Sequence, residues 1–243
     1  MKTIFLLSCI FIAQTLFAQN NREGDFNNIN WGQVFITKSL GKKTAIQAEY
    51  QWRRTEGLRH GQQSLFRTAF QYKPNDVFSA AIGYAEVETF AYGDYPIAAN
   101  GTFPEHRLFE QAILKQSINK FSISSRLRIE QRWLGVVKPG TKKEIERWNY
   151  LNRFRYLLKL QYPLTKNVYA WLGDELFIGA GKNVGVNIFD QNRLHACIGY
   201  KINKALSVEV GYINQTLQQG RMVNNKTIIQ RNNGIILALL ANF

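Results

Sequence analysis

Arginine side chains recur at alternate positions in two stretches near the middle of the chain, residues 121–133 and 147–162. Guanidinium groups stay charged at any relevant pH, and each can bind a carboxylate or a phosphate through paired hydrogen bonds. Glu130 interrupts the first row, and we expect it to pair with a neighbouring arginine. With similarly placed residues elsewhere, the predicted charge ladder comprises Arg53, Arg67, Arg126, Arg128, Glu130, Arg132, Arg153, Arg155 and Arg193. This ladder indicates the binding or conduction of small anionic solutes.

Residues suited to covalent or acid–base chemistry are sparse and poorly spaced. His60 stands near Ser64, and His195 shares a predicted strand face with Cys197. A nucleophile needs a base within about 3 Å, whereas alternate residues of a strand are separated by roughly 7 Å of backbone rise. We therefore predict no catalytic residues and expect that the protein is not an enzyme.

Patterns of a metal or cofactor site are missing from the sequence as well. No group of His, Cys, Asp and Glu has the spacing of a metal site. The glycines of residues 179–185 do not have the spacing of a Walker phosphate loop. We predict neither a metal ion nor a cofactor.

The elements that must position the charge ladder are β-strands. In residues 121–133 one register is mostly apolar and the other carries serines, arginines and Glu130. A period of two is that of a strand with two unlike faces. Comparable segments are 29–40, 44–54, 63–72, 77–88, 107–118, 121–133, 147–162, 167–176, 191–202, 206–217 and 234–243. The pattern predicts an all-β protein but leaves open which face lies inside: a soluble barrel would bury the apolar face, and a membrane barrel would bury the arginines.

The N-terminus indicates export. Lys2 is followed by an apolar run from Ile4 to Phe17 and then by the small residue Ala18. This is the pattern of a secretory signal peptide, too short to span a membrane, and we place cleavage after Ala18. The alternative is a lipoprotein cleavage box at Cys9, but the apolar run before it is shorter than the roughly seven residues of an h-region. Export argues against a nucleic-acid partner, although Lys and Arg outnumber Asp and Glu by 31 to 17.

Further features favour a membrane barrel over a soluble one. Trp and Tyr lie towards the ends of the apolar faces, as in the aromatic girdles of outer-membrane barrels. Several predicted strands exceed the usual mode of about 5–6 residues and reach the length of about 9–11 residues that a tilted membrane strand needs. The last segment alternates through Leu237 and Leu239 to a terminal Phe243, which we interpret as an assembly signal.

Two resemblances agree with this interpretation. The end of the chain resembles the C-terminal recognition signal of Gram-negative outer-membrane proteins, which end in an aromatic residue on an alternating strand. The chain also resembles an uncharacterised family of small outer-membrane barrels, classed as a domain of unknown function. The likeness lies in the opening strand with Trp31, the Leu-Gly-Lys-Lys turn at 40–43, the charged strand after it and Phe243. It implies an outer-membrane location and a barrel fold over most of residues 29–243, and it brings no known activity.

The connections between segments alternate in length. Short turns are predicted near 39–43, 73–76, 119–120, 163–167 and 201–205, and longer loops near 55–61, 89–104, 134–146, 177–189 and 218–228. Eleven segments are countable, but bacterial single-chain barrels have even strand numbers. We therefore predict a transmembrane antiparallel up-and-down barrel of ten to twelve strands and favour twelve, with a further strand near 222–231. The predicted organisation is a signal peptide at 1–18, a short segment at 19–28 and the barrel at 29–243.

The sequence leaves several functions open. The first is an outer-membrane barrel whose arginine-rich lumen forms a narrow channel for anions or acidic solutes. The alternatives are a barrel plugged by its own side chains, a binding or adhesion protein that acts through the aromatic loop at 89–105, and, less favoured, an outer-membrane hydrolase. The expected partners are outer-membrane lipid, lipopolysaccharide, the outer-membrane assembly machinery and small anionic solutes.

Overall fold

The computed structural model describes residues 22–94, 101–141 and 144–243. The predicted signal peptide at 1–18 and parts of two predicted loops, 95–100 and 142–143, lie outside the described residues. The described chain forms strands β1 (Arg22–Ser39), β2 (Thr44–Thr55), β3 (His60–Tyr72), β4 (Phe78–Thr89), β5 (Phe103–Ile118), β6 (Phe121–Val137), β7 (Ile145–Pro163), β8 (Val168–Ala180), β9 (Phe189–Lys201), β10 (Leu206–Val223) and β11 (Lys226–Asn242). Strand β1 therefore starts before the boundary at residue 29 that alternation suggested. No helix of the described residues is long and apolar enough to cross a membrane.

The strands form a closed barrel in which each strand pairs antiparallel with the next one along the chain. The sheet closes where β1 pairs with β11 in parallel, from Arg22 opposite Thr227 to Thr37 opposite Asn242. The predicted all-β barrel of ten to twelve strands is confirmed. Two finer expectations are wrong: the described chain has eleven strands and not twelve, and the barrel is not antiparallel throughout, because the β1–β11 seam is parallel. With an odd number, the first and last strands run in the same direction, so the seam must be parallel.

The connections divide into two ends of the barrel. At one end, here called the turn end, lie the connections 40–43, 73–77, 119–120, 164–167 and 202–205. At the other, the loop end, lie 56–59, 90–102, 138–144, 181–188 and 224–225. The long loop expected at 218–228 is instead a turn of Asn224 and Asn225, with φ angles of 50° and 60°. Two successive positive φ values are those of a type I′ hairpin turn, so residues 222–231 extend β10 and β11 and form no twelfth strand.

The two faces of the barrel wall differ in polarity. The outer face exposes large apolar side chains, including Ile82 and Leu237, each 59% exposed, and Leu172 at 56%. The inner face carries most of the buried charges together with an apolar cluster formed by Ile29, Trp31, Cys197, Ile213 and Ile236. The register that the sequence shows as arginine-rich is thus the inner one.

A glycine in β4 leaves room for an aromatic ring to pack against the inner face of the barrel wall. A Cβ atom at Gly83 would lie 2.5 Å from the Phe109 ring and 2.4 Å from the Thr68 carbonyl oxygen. Only a residue without a side chain fits there. Phe109 consequently packs directly over the β4 backbone, where it is 1% exposed and contacts Ala69 and Ala81.

Candidate functional site: the charged interior

The arginines of the predicted ladder all lie on the inner face of the barrel. Their places follow from alternation along β2, β3, β6, β7 and β9, and the β6–β7 register sets Arg128 opposite Arg155 and Glu130 opposite Arg153. All are buried except Arg126, whose side chain is 21% exposed. The barrel therefore brings side chains from distant parts of the chain into one interior cluster.

Glu130 lies at the centre of this cluster and is 1% exposed. Arg153 Nε donates to Glu130 Oε2 at 2.8 Å, and Arg155 Nη1 donates to Glu130 Oε1 at 2.6 Å. The nearest approach of Arg128 to Glu130 is 3.9 Å. One carboxylate thus receives charge-assisted hydrogen bonds from two guanidinium groups, which are the stronger class of hydrogen bond.

Other carboxylates extend the cluster in both directions. Arg155 donates to Glu175 Oε1 through Nε at 3.0 Å and Nη2 at 2.7 Å, and Arg126 Nη2 reaches the same oxygen at 2.5 Å. Arg153 Nη1 donates to Asp190 Oδ2 at 2.8 Å. Glu130, Arg155 and Glu175 therefore form a continuous chain of ion pairs.

A second group of ion pairs lies nearer the loop end. Arg107 donates to both oxygens of Glu105 at 2.7 and 2.8 Å, and Arg132 does so at 2.5 and 3.1 Å. Glu105 is 1% exposed. The guanidinium groups of Arg107 and Arg132 thus bind the same carboxylate, and the pair of Arg132 with Glu105 links β6 to β5 inside the barrel.

The remaining arginines of the cluster rest on aromatic rings and amides. Arg67 donates to Glu49, and Arg128 donates to Gln111 Oε1 through Nη2 at 2.6 Å. The guanidinium carbon of Arg128 lies 4.6 Å from the centroid of the Phe109 ring. This is the geometry of a cation–π contact.

Buried arginines outnumber buried carboxylates among the described residues. The buried arginines are Arg53, Arg67, Arg107, Arg128, Arg132, Arg153, Arg155 and Arg193, and the buried carboxylates are Glu49, Glu105, Glu130, Glu175, Asp190 and Glu209. Among the residues that the structure describes, Arg53 and Arg193 have no carboxylate within 4.0 Å. The positive excess is therefore concentrated at these two positions.

Side chains fill the middle of the barrel. Phe177 and Ile213 are 0% exposed, and Leu65 and Phe109 are each 1% exposed, although they come from four separate strands of the wall. A water-filled passage beside them would leave part of their surface accessible. Side chains just fill the interior of barrels of about eight strands. In this barrel of eleven described strands, salt bridges and aromatic rings occupy the middle of the interior.

A cavity of about 590 Å³ lies above the charged cluster at the loop end. Its lining includes Arg53, Arg107, Arg132 and Arg193, several glutamines, and Tyr92 from the connection 90–102. The Tyr92 hydroxyl donates to Gln230 Oε1 at 3.0 Å and accepts from Asn232 Nδ2 at 3.1 Å. Burial raises the pKa of the Tyr92 phenol. Part of the aromatic loop at 89–105 is thereby folded into the mouth of the barrel.

The histidine pairs considered from the sequence have other contacts. His60 Nε2 lies 3.4 Å from Glu56, on the exposed surface. Cys197 is buried in the apolar cluster with Trp31, and the ring of His195 lies 5.7 Å from that of Trp171. Within the described chain, no group of three or more His, Cys, Asp and Glu residues is placed to hold a metal ion.

The predicted assembly signal lies on the outer face at the turn end. Leu237, Leu239 and Phe243 are 59%, 37% and 57% exposed. The backbone N–H of Phe243 donates to the Thr37 carbonyl at 2.8 Å, and the N–H of Ser39 donates to the Phe243 carbonyl at 2.7 Å. Phe243 therefore completes the parallel seam with β1.

Sequence reasoning missed several members of the cluster: Glu105, Arg107, Glu175 and Asp190. Alternation alone does not set the phase of residues 107–116, because Glu110 and Lys115 lie on opposite faces of that predicted strand. Asp190 follows the segment 177–189, which is predicted as a loop. A usable signal was present for Arg107, since it shares its register with Phe109 and Gln111. All three point inward and are buried.

Comparison with known proteins gives a family and a relative. Residues 28–226 match the model of the family described as a protein of unknown function (DUF2490). A protein of Methylorubrum extorquens, described as uncharacterized, is 30% identical over 196 residues, which are 76% of this chain and 78% of the relative.

Proposed function

We propose that this chain, which belongs to the DUF2490 family of proteins of unknown function, is an outer-membrane β-barrel whose charged interior is closed by ion pairs. The proposal combines a location, with residues 1–18 as a cleaved signal peptide, and a state of the lumen. The observation that carries it is the inversion of polarity across the wall, with charges buried inside and large apolar side chains exposed outside.

The outer face supports insertion into lipid. It presents a band of aliphatic residues with aromatic residues towards both ends, such as Phe121 against Tyr162 near the turn end and Trp133 against Tyr150 near the loop end. Such girdles flank an apolar band about 25 Å tall in outer-membrane barrels. A closed sheet also satisfies its backbone hydrogen bonds internally, which lipid requires.

Two carboxylates on the outer face have amide partners. Gln131 Nε2 donates to Glu110 Oε2 at 3.1 Å, and Asn192 Nδ2 donates to Asp174 Oδ1 at 2.7 Å. Asp and Glu cost less on a lipid-facing surface than the roughly 2–4 kcal/mol of Arg or Lys at the midplane. These paired amides lower the cost of placing two acidic groups on the apolar face.

The interior supports a closed barrel better than an open anion channel. In a conducting lumen the arginines of the ladder would face water, whereas here Arg128, Arg153 and Arg155 are each 4–5% exposed. Their charges are directed at Glu130, Glu175 and Asp190 and at the Phe109 and Phe177 rings. The barrel is in this view a rigid, plugged wall with a cavity at one end.

The location brings partners of its own. The outer-membrane assembly machinery would recognise the terminal Phe243, and lipid would cover the apolar band. Basic residues of the connection 138–144, including Lys138, would meet lipopolysaccharide phosphates if the loop end faces outward. We retain the expectation that the protein is not an enzyme.

Planar-bilayer conductance tests the closed state. The purified chain is inserted into bilayers beside an open porin as a positive control, and the current is recorded in a salt gradient. We expect no steady ohmic conductance from the wild type. A stable conductance with a reversal potential of anion selectivity would contradict closure and favour the channel.

Fractionation tests the location: the chain should be recovered with outer membranes as a heat-modifiable species, and recovery as a soluble periplasmic protein would contradict it.

A further inference from the structure

The cavity at the loop end opens on one side, where a ligand can enter. Its opposite side is lined by charged residues that are held in ion pairs. Its volume is about 590 Å³, and Arg153, Glu105 and Asp190 form part of its lining. Those three residues are already engaged with one another or with neighbouring arginines. Groups available to a ligand must therefore come from elsewhere in the lining.

Arg53 and Arg193 are such groups, because both lie against one indole ring. The guanidinium carbon of Arg53 lies 3.9 Å from the centroid of Trp31, and that of Arg193 lies 4.9 Å from it. Trp31 is 3% exposed, and its Nε1 donates to Gln62 Oε1 at 2.7 Å. Trp31 is thus fixed in place and contacts two of the cations that line the cavity.

Neither guanidinium group has a carboxylate within 4.0 Å among the described residues. Arg53 donates to the amide oxygens of Gln51 and Gln63, and Arg193 Nη2 makes a long contact of 3.3 Å with Gln191. Arg193 Nε is buried and has no hydrogen-bond partner among the described residues. Removing a cation from water without a close counter-charge costs several kcal/mol, so the two arginines favour a bound anion.

The rest of the lining is suited to hydroxyl groups. Gln62 is already bound to Trp31 and Tyr92, and Tyr92 donates to Gln230 Oε1. Gln218 through its Oε1 and Gln230 through its Nε2 contribute an acceptor and a donor to the lining. Amides offer both donors and acceptors, as a polyol requires, whereas a compact inorganic anion such as phosphate carries fewer hydroxyl groups that could use the acceptors. A guanidinium fork matches the two oxygens of a carboxylate.

We propose that the cavity binds a small hydroxylated carboxylate, a sugar acid of hexuronate size, whose carboxylate is held by Arg53 and Arg193 and whose hydroxyl groups are held by the surrounding amides. This inference goes beyond the closed barrel. It requires the folded chain alone, whether or not the lumen conducts and whatever membrane the barrel occupies.

Isothermal titration of the full folded chain in detergent tests the site with three probes: glucuronate, glucose and inorganic phosphate. We expect saturable binding of glucuronate, no binding of glucose, and weaker binding of phosphate. The comparison of probes uses the wild type alone, so it stands even where a variant fails to fold. Absence of glucuronate binding at millimolar concentration, equal binding of glucose, or equal binding of phosphate would each overturn the proposal.

Variants locate the site. Arg53→Gln and Arg193→Gln should each weaken glucuronate binding about tenfold or more, as expected for loss of a charged hydrogen bond, and the double variant should abolish it. Arg59→Gln is the matched control, because Arg59 is exposed in the connection 56–59 and does not line the cavity. Folding of each variant is checked by its heat-modifiable migration. Unchanged affinity in a folded double variant, or an equal loss in Arg59→Gln, would place the ligand elsewhere and overturn the assignment.

Discussion

Glu130 on β6 stands directly opposite Arg153 on β7, and the two side chains form a buried ion pair in which Arg153 Nε donates to Glu130 Oε2 at 2.8 Å. The pair is not isolated, because Arg155 donates to the other oxygen of the same carboxylate. Replacing both members of such a pair by apolar residues can be neutral, but removing one leaves an uncompensated buried charge. Removing the Glu130 carboxylate alone would therefore take one counter-charge from two buried arginines.

Glu130→Gln should destabilise the barrel strongly. The substitution keeps the size of the side chain but removes the counter-charge that Arg153 and Arg155 share and leaves each arginine with one carboxylate, Asp190 or Glu175. Breaking a buried pair costs about 3–5 kcal/mol. The measurement is the free energy of unfolding in urea, with the protein in lipid vesicles. The control is Glu144→Gln, which removes an exposed pair with Lys138 at 3.0 Å and should cost about 0–1 kcal/mol. Equal effects of the two substitutions would show that the interior network adds nothing to stability.

Leu127→Arg should prevent stable insertion into a bilayer. Leu127 lies on the outer face of β6 and is 48% exposed, so lipid would surround an arginine placed there at a cost of about 2–4 kcal/mol near the midplane. The measurement is the folded fraction in lipid vesicles, read from heat-modifiable migration. Leu40→Arg is the control, since Leu40 is 56% exposed but belongs to the turn 40–43. Equal tolerance of both substitutions would indicate that the outer face meets water.

The sequence predicted the inward phase of the arginines on β6 and β7 once the signal peptide and the aromatic residues had favoured a membrane barrel, because the arginines of each strand share one register and the other register is mostly apolar. It also indicated that Glu130 would pair with a neighbouring arginine, and the structure shows Arg153 and Arg155 in that role. Alternation within a strand is a local property, so it can be read without knowing which strands are neighbours. The same holds for the turn at Asn119, whose φ of 54° suits asparagine.

Contacts that depend on which strands are neighbours in the closed sheet could not be predicted from alternation within single strands. Glu175 follows Asp174 directly, and only the pairing of β8 with β7 shows that Glu175 points to Arg155 while Asp174 faces outward. The strand number was misjudged because an even number was expected, which would make the closing pair antiparallel, whereas the seam between the two ends of the chain is parallel. Nothing in the sequence of β1 or of β11 indicates whether the neighbouring strand at the seam runs parallel or antiparallel to it. The contacts of Arg53 and Arg193 with the Trp31 ring likewise depend on closure of the barrel, since the three residues lie on β2, β9 and β1.

Truncation of the terminal aromatic side chain should impair assembly in cells. Phe243→Ala keeps the backbone hydrogen bonds that Phe243 makes with Thr37 and Ser39 but removes the exposed ring at the end of β11. We expect less folded protein in the outer membrane, measured by heat-modifiable migration of membrane fractions. Asn242→Ala, next to it on β11, is the control and should assemble normally. A normal yield of the Phe243→Ala protein would mean that assembly does not depend on the ring.

Disulfide cross-linking can test the parallel seam that closes the barrel. Val34 and Leu239 are paired in the β1–β11 register, and both are on the outer face, 36% and 37% exposed. Neighbouring strands lie about 4.7–4.9 Å apart, and a disulfide needs Cα atoms about 4.4–6.8 Å apart. We therefore expect Val34→Cys with Leu239→Cys to form a disulfide on mild oxidation, in a Cys197→Ser background that removes the buried free thiol.

The cross-linked chain should migrate differently from the reduced chain in a denaturing gel, and mass spectrometry of the linked peptides should identify the bond. The control pairs Val34→Cys with Ile235→Cys, which is also exposed on the outer face of β11 but lies opposite Asn30 in the register. Four residues of strand separate it from the matched position, a distance of roughly 13 Å that no disulfide spans. Cross-linking of the control pair with no cross-linking of the matched pair would contradict the register. If neither pair reacted in a folded barrel, β1 and β11 would not be neighbours, and a further strand would have to lie between them.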